Sequence, residues 1–366
     1  MPGRRGTAAL FGCEPQYTRL YDGLRRLFPA LLVVSTVSLG ACSASETSSE
    51  EETSASSNAT QAATEQDVDP GEAWIAYQQG AADGSDGIFL VRPDGEGNHQ
   101  LMSDMRGEES HPDWSPDGER LAFIHVTPSD RTELWVVRVD GRGAEMLYPC
   151  NLPCNELGYP DWSPDGKSIY VGVSADPTAG GPPTTFRVDR FDLASGQVQP
   201  VLTRKGDVSA EQPRISPDGT QLAYTRLRER PGKPLEGAIF VAGTEGGPER
   251  RLTDWSMVAM HPDWTPDGRI VFDTYDIMVF RFDDPPSPGN LWIMNADGSH
   301  QTQLTRFKQV ESQASQPRVA PDGSGVSFTR DDGSQRRMAF LEFGDGAPHW
   351  LTDDPMSGTH TELRPQ

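Results

Sequence analysis

From residue 72 onward the chain alternates short apolar runs with turns rich in Gly, Pro and Asp. Five runs follow a Pro-Asp-Gly turn: RLAFIHV (120–126), SIYVGV (168–173), QLAYTRL (221–227), RIVFDT (269–274) and GVSFTR (325–330). A second run comes after each: ELWVVRV (133–139), FRVDRFDL (186–193), AIFVAG (238–243), LWIMNA (291–296) and MAFLEF (338–343). A tight Gly turn follows, at Asp140-Gly141, Ser195-Gly196, Gly246-Gly247, Asp297-Gly298 and Asp345-Gly346. Four units then close on Leu-Thr: Leu202-Thr203, Leu252-Thr253, Leu304-Thr305 and Leu351-Thr352. Runs of this length, alternating or continuously apolar, predict strands buried on one or both faces.

Each unit opens on one string. It reads HPDWSPDG at 111–118, YPDWSPDG at 159–166 and HPDWTPDG at 261–268, with looser copies QPRISPDG at 212–219 and QPRVAPDG at 316–323. An interval of about 50 residues is the length of a four-stranded propeller blade. Two leftover pieces complement each other. HTELRPQ (360–366) matches the start of the string and stops where its turn would begin, while AWIAYQ (73–78) matches the strand that follows that turn. GIFLVR (87–92), Asp94-Gly95 and HQLM (99–102) supply the rest of that unit. The expected fold is therefore all-β: a six-bladed β-propeller of four-stranded antiparallel blades, closed by pairing of the N- and C-terminal segments.

The pattern PDWSPDG…LAF…LWVVRVDG…LT resembles the TolB-type six-bladed propeller of the WD40-like Pro-Asp repeat family, also seen in dipeptidyl-peptidase-like enzymes. The resemblance covers roughly 72–366 and speaks to fold, since one fold hosts many activities. Two departures stand out. TolB carries an α/β domain before its propeller, and TolB is not lipidated.

Within the string, Ser-Pro-Asp-Gly predicts a hairpin turn: Pro presets φ, Asp caps the backbone, and Gly takes the left-handed conformation. Trp114, Trp162, Ile215, Trp264, Val319 and Leu363 share one register and fit the space between blades, although exposed Trp rings could stack on sugars. The preceding position holds Asp113, Asp161, Arg214, Asp263, Arg318 and Glu362. With Asp263 between Arg214 and Arg318, an ion-pair cluster is expected across blades four to six, the simpler alternative being that each side chain bonds a nearby turn amide.

Strand direction divides the loops between two faces. The Pro-Asp-Gly and Gly turns fall on one face; the longer insertions 149–158, 174–185, 228–237 and 275–289 fall on the other, where binding residues are expected. The first residue of each string enters from that loop-rich face, giving a channel-mouth ring of His111, Tyr159, Gln212, His261, Gln316 and His360. Such a ring could hold a transition metal, a sugar or a peptide terminus, or bond only to neighbouring blades. No cofactor is otherwise expected.

Arg19, Arg25 and Arg26 precede the apolar run 27–39, which is too short to span a membrane and suits an export signal. Leu39-Gly40-Ala41-Cys42 resembles the lipobox of bacterial lipoproteins, which implies a signal peptide over 1–41 and lipidation at Cys42. Residues 42–71 contain almost no apolar side chains and read as a disordered tether before the propeller at 72–366. In an exported protein, Cys150 and Cys154 are expected to form a local disulfide, with a zinc site or free thiols as the alternatives. The net charge of −22 argues against nucleic acid. No Gly-x-Ser-x-Gly, His-Glu-x-x-His, P-loop or dinucleotide motif occurs. The expected function is a monomeric, non-catalytic, envelope-anchored module binding a protein, peptide or glycan. The alternative is a metal-dependent propeller lyase or hydrolase using the ring.

Overall fold

The computed structural model describes residues 72–365, apart from 82–84, 176–184, 204–207, 229, 231–235, 275–288, 309–312, 332–335, 345 and 352–358. The export signal, Cys42 and the tether lie outside the described residues, as does most of the insertions at 174–185, 228–237 and 275–289.

Six four-stranded antiparallel sheets form the propeller. Blade 1 contains β1 (Ile75–Gly80), β2 (Asp86–Val91) and β3 (His99–Gln100), and its innermost strand is the last of the chain, β24 (Thr359–Leu363). Blade 2 runs through β4 (Glu108–Trp114), β5 (Arg120–Val126), β6 (Thr132–Arg138) and β7 (Glu145–Pro149). Blade 3 has β8 (Cys154–Trp162), β9 (Ser168–Ala175), β10 (Thr185–Asp192) and β11 (Val198–Leu202). Blade 4 has β12 (Glu211–Ile215), β13 (Gln221–Arg228), β14 (Glu236–Gly243) and β15 (Gly246–Arg251). Blade 5 has β16 (Ala259–Trp264), β17 (Arg269–Thr274), β18 (Asn290–Asn295) and β19 (Thr302–Gln303). Blade 6 has β20 (Gln313–Val319), β21 (Gly325–Asp331), β22 (Arg336–Glu342) and β23 (His349–Trp350).

The second strand of a blade is buried on both faces, which is why its sequence is nearly continuous in apolar residues. In β5, Leu121 and Phe123 pack with Trp74, Ile88 and Leu90 of blade 1, while Ala122 and Ile124 pack with Leu157, Ile169 and Val171 of blade 3. The same division repeats around the ring, so the core consists of clusters between blades. Each turn closes as its residue types predict: Gly118 N–H donates to Ser115 O at 2.8 Å, and Gly118 has φ 67°. The terminal pieces join as expected, with Ile75 opposite Leu363 and Ala76 opposite Glu362.

Two local features differ from the sequence expectation. The insertion 149–158 is not wholly a loop, because β8 begins at Cys154; Cys150 and Cys154 are joined by a disulfide across the turn between β7 and β8. A 3-10 turn at Trp255–Met257, capped by the Asp254 carboxylate accepting from Ser256 N, precedes β16.

Candidate functional site: the channel mouth and its ionic floor

The innermost strands carry a shared irregularity. The chain bulges at Pro112 and equally at Thr361, the matching position of β24. The pairing of β4 with β5 breaks between Ser110 and Asp113, and the same break recurs before Asp161, Arg214, Asp263 and Arg318. The bulged residue sits in the left-handed region each time: His111 (φ 54°), Tyr159 (53°), Gln212 (55°), His261 (46°) and Gln316 (56°). Each non-glycine residue held there costs on the order of 1–2 kcal/mol. These are five of the six predicted ring residues. His360, the sixth, lies in β24, but its side chain lies outside the described residues.

The rings converge from different blades. His111 and Tyr159 meet edge to face with centroids 4.3 Å apart, and Tyr159 lies 6.0 Å from His261. Behind them, second strands hold the ring in place. His261 Nδ1 donates to Asp273 at 2.9 Å, which turns Nε2 away from that carboxylate. Asp273 Oδ2 also accepts Gln316 N–H at 2.7 Å. Gln212 Oε1 accepts from Thr225 Oγ1 at 2.7 Å and from His261 N–H at 3.1 Å. Asp273 and Thr225 are wholly buried and were not anticipated; the signal was a carboxylate inside the apolar run RIVFDT.

Environment sets the protonation of the ring. Burial, then the electrostatic influence of Arg318, His261 and Arg214, holds His111 down to about 3. Burial pushes Tyr159 up to about 12, against a hydrogen bond with Gln212. Both are therefore neutral hydrogen-bonding groups at neutral pH. Among the described residues, no group of three or more His, Cys, Asp or Glu side chains is arranged to hold a metal ion.

Two residues after each ring residue, toward the turn face, come the charged positions. Arg214 donates to Asp113 at 3.0 Å, Asp161 at 2.7 Å and Glu362 at 3.0 Å. Arg318 also pairs with Glu362. The expected cluster over blades four to six is thus corrected. Asp263 is not a direct partner of either Arg, and Arg214 instead reaches blades 1, 2 and 3, because a long guanidinium side chain spans the bore. Nor do these side chains bond nearby turn amides: Asp113, Asp161 and Asp263 accept the strand N–H of Trp162, Ile215 and Val319 in the next blade. Trp114 and Trp264 complete the interlock, donating Nε1 to Glu362 O at 3.1 Å and Arg214 O at 3.0 Å.

The TolB beta propeller domain family matches residues 69–272, more than half of the chain. The chain belongs to that family. TolB from Acinetobacter baumannii superposes with a TM-score of 0.61 at 20% identity, over 80% of this chain and 67% of that one. A TolB-type structure from Agrobacterium tumefaciens gives 0.53 at 18% identity, over 80% and 98%. Both likenesses concern the fold. Among curated proteins, a tricorn protease homolog of Streptomyces coelicolor is 44% identical over 66 residues. That alignment spans 18% of this chain and 6% of the relative, so this TolB propeller matches only a small part of the curated protein's length.

Proposed function

We propose that this TolB-type propeller is a binding module, exported and lipid-anchored at Cys42, whose loop-side channel mouth takes a protein, peptide or glycan ligand of the cell envelope. The observation that carries this reading is the left-handed conformation at His111, Tyr159, Gln212, His261 and Gln316. Glycine would relieve that strain at every position, yet a polar or aromatic side chain occupies each one. Strain retained around one opening is a mark of a site where the side chains themselves are needed. Two of these groups, His111 and Tyr159, stay neutral at neutral pH, which suits hydrogen bonding and stacking rather than proton transfer.

The test is capture from envelope extract by the full chain, by Tyr159→Gly, and by Asp165→Ala on the opposite, turn-bearing face. A ligand retained by the wild type and by Asp165→Ala but lost by Tyr159→Gly supports the mouth as the site. Equal retention by all three moves the site elsewhere. Turnover of a polysaccharide by the purified chain, lost in His261→Ala, establishes the propeller-enzyme alternative instead.

A further inference from the structure

Blades 4 and 6 carry an arginine at the same place. Arg226 of β13 and Arg330 of β21 each follow a threonine that stands opposite an equivalent residue of the next strand, Thr225 opposite Ile239 and Thr329 opposite Met338. Those partners are matched in turn, because Ile239 O accepts Leu252 N–H and Met338 O accepts Leu351 N–H. Both strands leave a Pro-Asp-Gly turn, so both arginines lie toward the loop-rich face.

The copy in blade 4 is a finished carboxylate clamp. Arg226 is 2% exposed and holds Glu249 through two hydrogen bonds, Nε to Oε2 at 3.1 Å and Nη2 to Oε1 at 2.7 Å. Nη1 donates to Ser209 O, in the connection from blade 3, at 2.8 Å. The guanidinium lies over Tyr224 and Phe240, 5.2 and 5.8 Å from their centroids. A planar fork bonded twice to one carboxylate is the strong form of this pairing.

The copy in blade 6 keeps the arginine and the aromatic bed but lacks the acid. Arg330 lies against Phe307, in the connection from blade 5, at 5.0 Å and against Trp350 of β23 at 4.7 Å. Three residues before the matched leucines stand Glu249 in blade 4 and Pro348 in blade 6. Arg330 has no hydrogen-bond or ion-pair partner among the described residues, and its Nε is buried without an acceptor. The adjacent Asp331 pairs with Arg336 instead, at 3.5 Å. Opposite Arg330, where blade 4 has Ala238, stands Arg337, with its guanidinium 5.2 Å from the same Trp350 ring. Like charges facing each other across a ladder repel, and an anion shared between them relieves that repulsion. Arg306 and Lys308, both exposed on either side of Phe307, extend the positive charge beyond one carboxylate.

We propose that Arg330 and Arg337 form a carboxylate-binding site between blades 5 and 6 on the loop-rich face, and that it takes a glutamate or aspartate side chain of an acidic peptide. The clamp in blade 4 models the occupant: a glutamate carried on an extended strand. The peptide supplies from outside the carboxylate that Pro348 does not. This site is distinct from the channel mouth and stands whether or not a ligand reaches the ring.

Titration calorimetry of the full chain with acetyl-hexaglutamate amide tests the site, with the hexaglutamine peptide and a uronic-acid hexasaccharide for comparison. The glutamate peptide should bind and the glutamine peptide should not. Arg330→Gln should weaken binding by about tenfold or more, as expected for loss of a charged hydrogen-bonding partner. Pro348→Glu restores the acid found in blade 4. It should weaken peptide binding and raise the thermal midpoint, and it decides the matter if Arg330→Gln does not fold. Tyr159→Gly, at the mouth, should bind the peptide as the wild type does. Absence of peptide binding overturns the site. So does binding that Arg330→Gln and Pro348→Glu leave unchanged, or that only Tyr159→Gly abolishes. Capture of the hexasaccharide but not the peptide overturns the peptide as occupant.

Discussion

Arg214 in blade 4 bonds Glu362 in blade 1, the blade facing it, at 3.0 Å. The two residues occupy the same position of the repeated string, and one is the reciprocal charge of the other. The two side chains therefore meet across the bore.

Removing the guanidinium should be severe. Arg214→Ala leaves Asp113, Asp161 and Glu362 buried without their shared partner, a loss of about 3–5 kcal/mol for a broken buried pair. Chemical denaturation should show this as a lower midpoint with the same slope. A wild-type midpoint would mean that the cluster neutralises itself with protons alone.

The backbone at the mouth favours glycine. His111→Gly should be more stable than His111→Ala by about 1 kcal/mol, because alanine keeps the strained φ of 54° and glycine does not. The ordering reverses that of an ordinary strand, where glycine is the weaker residue. Thermal melts of the two variants decide it.

His111 should stay neutral far into the acid range. Its folded value of about 3 lies below that of an unfolded histidine, so the stabilisation is complete above about 6.5 and is lost as pH falls from there toward 3. His111→Gln should flatten this part of the stability profile. Imidazole resonances of His111 that titrate near 6.5 would show that the site is more open than its packing implies.

Two of the three equivalent tryptophans should behave differently. Trp114 Nε1 has Glu362 O as acceptor, whereas Trp162 Nε1 is buried with no acceptor among the described residues. Trp114→Phe should therefore cost about 1 kcal/mol more than Trp162→Phe, the worth of one hydrogen bond. Equal costs would show that packing alone sets the register.

Much of the fold was legible because it repeats. RLAFIHV and RIVFDT became β5 and β17 with the same bounds, and the split blade was readable from HTELRP and AWIAYQ. The site was legible only by position. The ring residues could be named from the first letter of each string, but nothing local showed that the strand bulges there and holds them at a left-handed φ. Asp273 was visible as a carboxylate in an apolar strand, yet its partner His261 pairs with it only when the two strands come into register. The insertion at 149–158 was read as a loop because Cys, Pro and Asn dominate it, while pairing with β9 turned its second half into strand.

The sequence by itself determined the blade count, the strand order, the turn face and the closure, because these follow from local turn chemistry and strand-length apolar runs repeated along the chain. Only the tertiary structure decided which charges meet. Side chains at equivalent positions of different blades lie tens to hundreds of residues apart in sequence, and their partners depend on reach across the bore. Arg214 thus serves three acidic neighbours at once, Asp263 is left to a backbone amide, and Glu362 is drawn between two arginines on the strand that closes the ring.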